Sequence, residues 1–172
     1  PDDKVILSAG HSGLALYVVL QHFGLIENAE QKLLSDGIHP VRGLGIDCST
    51  GSLGQGITVA VGMALCQPQN DIYVLSTDGE VASGAFFESL FFAMQRPLNN
   101  LIIYVNDNGY SALRKTSYIE GALESFDVKV IDTSDSLPRL AGSEWLRGLE
   151  AHYHVMNESE YLTLRRFYDP TT

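Results

Sequence analysis

Several things are scarce in this sequence. Two cysteines occur in 172 residues, Cys48 and Cys66. They show no CxxC spacing and have no neighbouring histidine pair of the kind that holds zinc. A disulfide scaffold and a zinc module are thereby set aside, and free thiols in a reducing cytoplasm are the expectation. Basic residues are also few: 11 Lys and Arg against 21 Asp and Glu give a formal net charge of −10. Nucleic acids and anionic membrane surfaces select clustered Lys and Arg, and no basic tract of that kind is present. Apolar runs such as Leu14 to Leu20 and Ile102 to Val105 fall well short of the ~20 residues of a membrane helix. Pro1-Asp2-Asp3-Lys4 has neither the basic n-region nor the apolar h-region of a secretory signal, and an opening on proline fits a missing natural start.

What is present fits one ordinary soluble domain. Hydrophobic residues make up 45% and charged residues 19%, the balance of a globular chain. Its length is enough to bury a real core and too short for two large domains. Three short runs rich in Val, Ile and Tyr read as strands: Ile72 to Leu75, Leu101 to Val105 and Val128 to Ile131. The first two have the continuous apolar character of buried strands, the third that of one nearer an edge. Between them Phe86 to Gln95 and Tyr118 to Phe126 carry helical spacing. Upstream, Ser12 to Phe23 and Leu53 to Cys66 do the same, each beginning beside a Gly or Ser suited to a helix start. Glu158 to Phe167 reads as a terminal helix opened by Asn157, with Glu158 and Glu160 favouring the helix dipole. Strands alternating with helices imply crossover connections: an α/β domain with a mainly parallel open sheet and helices on both faces.

The chemistry gathers after two of these strands. Ser76-Thr77-Asp78-Gly79-Glu80 follows one, and Asn106-Asp107-Asn108-Gly109 follows the next. In an open parallel sheet the carboxyl ends of neighbouring strands are where ligands bind. A carboxylate from Asp78 and an amide oxygen from Asn108 suit Mg²⁺, which takes a few protein oxygens and completes its octahedron with phosphate oxygens and water. Gly79 and Gly84 would let backbone approach a diphosphate and open the following helix toward it. Asp-Gly and Asn-Gly are also the commonest tight-turn dipeptides, and each alone is explained equally well as a turn. The run Gly51 to Gly56 reads on its own as a glycine-rich start of a helix, with Leu53 in the core. A lone His11 opening a helix is more often a cap or surface residue.

Taken together these segments resemble the diphosphate-binding domain of the transketolase family. The family's metal motif begins Gly-Asp-Gly and ends in Asn about thirty residues later; here it is Thr77-Asp78-Gly79 ending at Asn108, with the first glycine replaced. Leu7-Ser8-Ala9-Gly10-His11 is similar to the family's Leu-Ser-x-Gly-His. Thr50-Gly51-Ser52-Leu53-Gly54-Gln55-Gly56 follows its Thr-Gly-Ser/Pro-Leu-Gly-Gln-Gly. His39-Pro40 resembles its Gly-His-Pro, with Ile38 in place of glycine.

The resemblance implies thiamine diphosphate and Mg²⁺ as cofactors, with Asp78, the Asn108 side chain and the Tyr110 carbonyl as metal ligands. His11, Gly51, Ser52, Leu53, Gly79 and Glu80 would line the cofactor, Gly51 through its backbone at the aminopyrimidine and Leu53 near the thiazolium. His39 would contact the donor substrate. The segment Glu150 to Glu158 resembles a Glu-Trp-His-Gly-Lys-x-Pro-Asn-Glu of split transketolases. It makes His152 the second diphosphate histidine, with His154 as the alternative. Glu88 matches a family glutamate, whereas a second one, linked to communication between paired active sites, is Ser83 here.

The resemblance covers almost all of residues 1–172 as one diphosphate-type domain. It begins after that domain's usual first helices, one of which carries a substrate-contacting histidine, and no pyrimidine-binding domain follows. Because the family's activating glutamate sits on that second domain, the expectation is a transketolase-like transferase moving a two-carbon ketol unit between sugar phosphates. It would be inactive alone and need a pyrimidine-domain subunit or a C-terminal part, in a homodimer or heterotetramer. Arg42 or Arg114 could face a substrate phosphate. Two alternatives stand beside this: a degenerate thiamine-fold interaction or regulatory module, favoured by Thr77, Ser83, Ile38 and Tyr153, and a component of a deoxyxylulose-phosphate synthase or 2-oxoacid dehydrogenase. A nucleotide-binding domain has little support, since no GxGxxG or GxxxxGK[ST] follows a strand.

Overall fold

The computed structural model describes residues 2–96, 98–111, 115–133 and 154–168. Among these residues four strands, β1 (Lys4–Leu7), β2 (Ile72–Thr77), β3 (Leu101–Asp107) and β4 (Val128–Asp132), form one sheet in the order β1-β2-β3-β4. Every neighbouring pair is parallel. Each connection must therefore cross back over the sheet, and helices supply the crossings. Between β1 and β2 come a 3-10 turn (Gly10–Ser12), α1 (Gly13–His22), α2 (Ala29–Asp36) and α3 (Gln55–Cys66). Helices α4 (Asp78–Val81) and α5 (Gly84–Gln95) join β2 to β3, α6 (Ile119–Leu123) joins β3 to β4, and α7 (Glu158–Tyr168) comes last. No described helix is long and apolar enough to cross a membrane.

The main core lies between one sheet face and the helices. In strand register Ile6, Val74 and Ile103 stand side by side, as do Ser76 and Val105. Ile57, Ala60 and Ala64 of α3, Phe86 and Leu90 of α5, and Ile119 and Leu123 of α6 pack against that face. Full burial of such side chains contributes about 1.5–3 kcal/mol each for the larger ones, so this layer fixes the sheet. Helices α1 and α2 enclose a second small core of Tyr17, Leu20, Ala29 and Ile46. On the opposite sheet face Val5, Leu75 and Ile131 are 57%, 36% and 44% exposed. Among the described residues, the helix layer of α3, α5 and α6 covers one face.

The three strands expected from the sequence are present, each slightly longer, and among the described residues the third lies at the sheet's edge, as its composition indicates. Strand β1 and helix α2 are additions. Four residues are too few to show alternation, and α2 announces itself only through Asn28, whose side-chain oxygen accepts the Gln31 N–H at 2.9 Å. The expected helix from Leu53 begins later, at Gln55, because Gly54 has φ +76° and breaks the helical path. Leu53 consequently lies outside the core at 62% exposure, against the packing role that its position in the run gave it. The expected Tyr118 to Phe126 helix contracts to α6, with Phe126 instead meeting Phe87 and Phe91 edge to face.

Candidate functional site at the carboxyl ends of the central strands

Strands β2 and β3 end level, Thr77 opposite Asn106, and this brings the two loops that follow them together. Asp78 is buried, and its two oxygens are aimed at backbone donors: Oδ1 accepts the Gly79 N–H at 2.8 Å and Oδ2 the Asn108 N–H at 3.1 Å. The second bond joins the loops directly. Burial pushes the Asp78 carboxyl above its ordinary value, and the charge of Asp107 acts the same way. The N–H groups of Asn108, Gly79 and Tyr110 pull it down.

Asp107 shapes its own loop. Its Oδ1 accepts the Gly109 N–H at 2.9 Å and the Thr116 hydroxyl at 2.6 Å. Asn108 Oδ1 accepts the Tyr110 N–H at 3.0 Å, which leaves this oxygen a second lone pair. Asp78, Asn108 and Tyr110, spread over two segments of sequence, thus occupy one place.

A divalent cation bound here would take one carboxylate, one amide oxygen and one peptide carbonyl. Among the described residues no three His, Cys, Asp or Glu side chains gather as a metal site. This donor set is oxygen-only and incomplete by itself, which suits Mg²⁺ sharing its shell with phosphate oxygens and water. Room for such a group exists beside it. A Cβ built on Gly79 would come no nearer than 3.9 Å to Thr77 Oγ1, and one on Gly84 would meet nothing within 4 Å. Neither glycine is required by internal packing, so the backbone at both is open to its surroundings.

A second group of residues gathers beyond the end of β1. Gly10 and Gly51 touch: a Cβ on Gly10 would lie 2.6 Å from Gly51 Cα and 3.0 Å from His39 Cδ2. The imidazole of His39 rests on Gly51, whose own Cβ would be 3.3 Å from the ring. Tyr17 holds this loop from inside, its hydroxyl donating to the carbonyls of His39 at 3.1 Å and Gly37 at 3.3 Å. Thr50 pins the neighbouring loop through a 2.6 Å bond from its hydroxyl to the Leu7 carbonyl. His11, His39, Gly51, Ser52 and Leu53 are all exposed. Close backbone contact at paired glycines beside a buried carboxylate and an asparagine loop is a specific arrangement, and comparison with known proteins gives it a family. The family described as transketolase, thiamine diphosphate binding domain, matches residues 1–127.

The chain belongs to the transketolase family. It is 38% identical over 117 residues to the 6-deoxy-6-sulfo-D-fructose transketolase subunit SqwG of Clostridium sp. (strain MSTE9), covering 62% of this chain and 42% of that one. It is 34% identical over 116 residues to an apulose-4-phosphate transketolase subunit of Phocaeicola vulgatus, covering 62% and 41%. A transketolase structure from Pichia stipitis superposes with a TM-score of 0.64 at 28% identity, over 73% of this chain and 22% of that one. The chain spans less than half the length of these relatives.

In this transketolase-family domain the remaining expected residues fall in different places. The Glu80 side chain is turned inward, not toward the space beside Asp78. Its Oε1 accepts the Ser8 hydroxyl at 2.6 Å and the Gly54 N–H at 3.0 Å, and its Oε2 accepts the Thr77 N–H at 3.3 Å. Glu88 lies on α5 in a groove against α3, beside Thr58, Val61, Ala85 and Phe92, apart from the Asp78 loop. His154 pairs with Glu160 at 3.0 Å, at the start of α7. There Asn157 and Glu160 cap each other, the Glu160 N–H donating to Asn157 Oδ1 and the Asn157 N–H to Glu160 Oε2. His152, Tyr153 and Arg114 lie outside the described residues.

Three residues that tie the site together escaped sequence reasoning: Tyr17, Thr50 and Ser8. Ser8 and Thr50 stand inside the family-like runs, but nothing in spacing says where a hydroxyl donates. Gly56 gave the available hint. A Cβ there would lie 2.5 Å from both Ser8 Cβ and Ser8 Oγ, so the glycine marks where α3 crosses the end of β1.

Proposed function

We propose that this domain holds the diphosphate of thiamine diphosphate through Mg²⁺ and forms one half of a transketolase active site. The observation that carries the reading is the convergence of Asp78, Asn108 and Tyr110 where β2 and β3 end, with Asp78 Oδ2 accepting the Asn108 N–H at 3.1 Å. Asp78, Asn108 Oδ1 and the Tyr110 carbonyl would hold the metal. His11 would approach the diphosphate, Gly51 the aminopyrimidine through its backbone, and Leu53 the thiazolium. Leu53 has the exposure for an apolar contact with a ligand, at 62%. Thiamine diphosphate supplies the carbanion centre and electron sink of two-carbon transfer. The work of these residues is to bind it, orient it and set its ring against the donor sugar, which His39 would contact.

The relatives named as subunits support a division of the enzyme between chains. A pyrimidine-domain partner would supply the group that activates the aminopyrimidine, in a homodimer or heterotetramer, and the chain by itself would bind cofactor weakly and turn nothing over. A sugar phosphate is the expected substrate class and the cytoplasm the expected location. The departures from the family pattern fit a working site. Thr77 has φ −125° and ψ 164°, extended backbone that any residue adopts, so the backbone conformation does not call for glycine at this position. Ser83 caps α5, accepting the Phe86 N–H at 3.4 Å and donating to the Glu80 carbonyl at 2.8 Å.

Reconstitution tests the reading. Ketol transfer between sugar phosphates should be absent with the chain alone and appear when a pyrimidine-domain transketolase subunit, Mg²⁺ and thiamine diphosphate are added together. Transfer by the chain alone, or none with any such subunit that binds it, would contradict the proposal.

A further inference from the structure

Glu80 is 1% exposed and its carboxylate gathers three donors from three separate parts of the chain. Ser8 belongs to the turn after β1, one residue before Ala9-Gly10-His11. Gly54 closes the Gly51 to Gly56 loop, and Thr77 precedes Asp78. The bonds are 2.6 Å to the Ser8 hydroxyl, 3.0 Å to the Gly54 N–H and 3.3 Å to the Thr77 N–H. We propose that Glu80 is a positioning residue that never touches the cofactor but sets the distance between the metal-side loop at Asp78 and the ring-side loop at Gly51 to Leu53.

This inference rests on the cofactor reading above and adds a division of labour to it. The side chain has no freedom to serve the ligand, because both oxygens are occupied by protein donors and almost no surface is exposed. Its neighbours are equally constrained. Gly54 sits at φ +76°, and a Cβ there would lie 2.7 Å from Ser83 Oγ and 2.9 Å from Ala85 Cβ. Ser8 is packed against Gly56. The Thr50 hydroxyl adds a parallel tie between the ring-side loop and the end of β1. A buried carboxylate bonded to backbone N–H groups and a hydroxyl is a stiff link, since breaking it weakens the pairing of desolvated donors. A ligand that must reach both loops at once binds best when their separation is fixed beforehand.

Glutamine is the informative substitution. It keeps the shape of Glu80 but has one oxygen that only accepts in place of two, so its NH2 group faces either the Thr77 N–H or the Gly54 N–H as donor against donor, while the Ser8 hydroxyl can turn to accept. Two probes separate the loops: Mg²⁺-pyrophosphate needs only the metal side, whereas Mg²⁺-thiamine diphosphate needs both. Calorimetric titration of the full chain should show Glu80→Gln weakening thiamine diphosphate at least tenfold while pyrophosphate affinity stays within about twofold. Ser8→Ala should weaken thiamine diphosphate alone in the same way, and the double variant should lose less than the two single losses combined. Amide exchange supplies a readout without ligand: the Gly54 N–H should exchange faster in Glu80→Gln while Val74 and Val105 keep their protection.

Equal losses for both probes would mean Glu80 is merely structural, and unchanged thiamine diphosphate affinity with faster Gly54 exchange would mean the link does not serve the ligand. Either overturns the inference and leaves the cofactor reading intact. A wild-type chain that binds neither probe, alone or together with a pyrimidine-domain transketolase subunit, overturns the cofactor reading itself.

Discussion

The Asp78 carboxylate accepts the backbone N–H of Asn108 at 3.1 Å, so the loops after the two central strands are joined through the same side chain that would hold the metal. That relationship gives Asp78 a structural role beside the metal-holding role proposed for it, and its ionisation carries a cost. Burial raises its carboxyl above the ordinary value. The native chain therefore keeps the proton to higher pH than the unfolded chain does. The penalty is absent below the unfolded value and complete above the folded one, so this group lowers stability as pH rises between the two. In ligand-free thermal denaturation the Tm difference between Asp78→Asn and wild type should move in the variant's favour as pH climbs out of the ordinary carboxylate range. A difference independent of pH would contradict it.

Ser76 is fully buried on β2 and its hydroxyl has no hydrogen-bond partner among the described residues. An unsatisfied buried hydroxyl costs roughly 1–3 kcal/mol relative to an apolar group of similar shape. Ser76→Ala should raise stability in urea denaturation, by about 1 kcal/mol after allowance for the lost volume. A loss of stability would show that the hydroxyl is in fact satisfied.

Gly56 packs α3 against Ser8 with no space for a methyl group. Gly56→Ala gains helix propensity but must push the helix off β1, and overpacking of this kind costs about 1–3 kcal/mol. Chemical denaturation should show a net loss, in contrast to Gly62→Ala on the same helix, where a Cβ meets nothing within 4 Å and stability should rise by up to about 1 kcal/mol.

Leu53 offers the converse case. Being mostly exposed, it contributes little to the fold, and Leu53→Ala should leave stability within about 0.5 kcal/mol of wild type. If it packs on the thiazolium, the same variant should weaken thiamine diphosphate severalfold with pyrophosphate binding unchanged.

The sheet was legible because Ile72 to Leu75, Leu101 to Val105 and Val128 to Ile131 are dense β-branched and aromatic runs, and the helices between them left only crossover connections. The placement of Asp78 and Asn108 followed, since each stands directly after such a run. Strand β1 was not legible because four residues carry no period. Leu53 misled because its spacing continues the apolar stripe of α3, while the left-handed conformation at Gly54 detaches it from that helix. The tie from Glu80 to Ser8 was not legible for another reason. The nearness of Glu80 to Asp78 in sequence points toward the ligand, but its partner Ser8 is 72 residues away, and no local pattern reports a contact of that range.

The most direct test of the central claim is calorimetric titration of thiamine diphosphate into the full chain with Mg²⁺, with EDTA, and with Asp78→Ala in Mg²⁺. Heat that requires Mg²⁺ and disappears in the variant, while the variant keeps its far-ultraviolet circular dichroism, is the predicted result. Binding that persists in EDTA or survives loss of the Asp78 carboxylate would contradict the metal-bridged site.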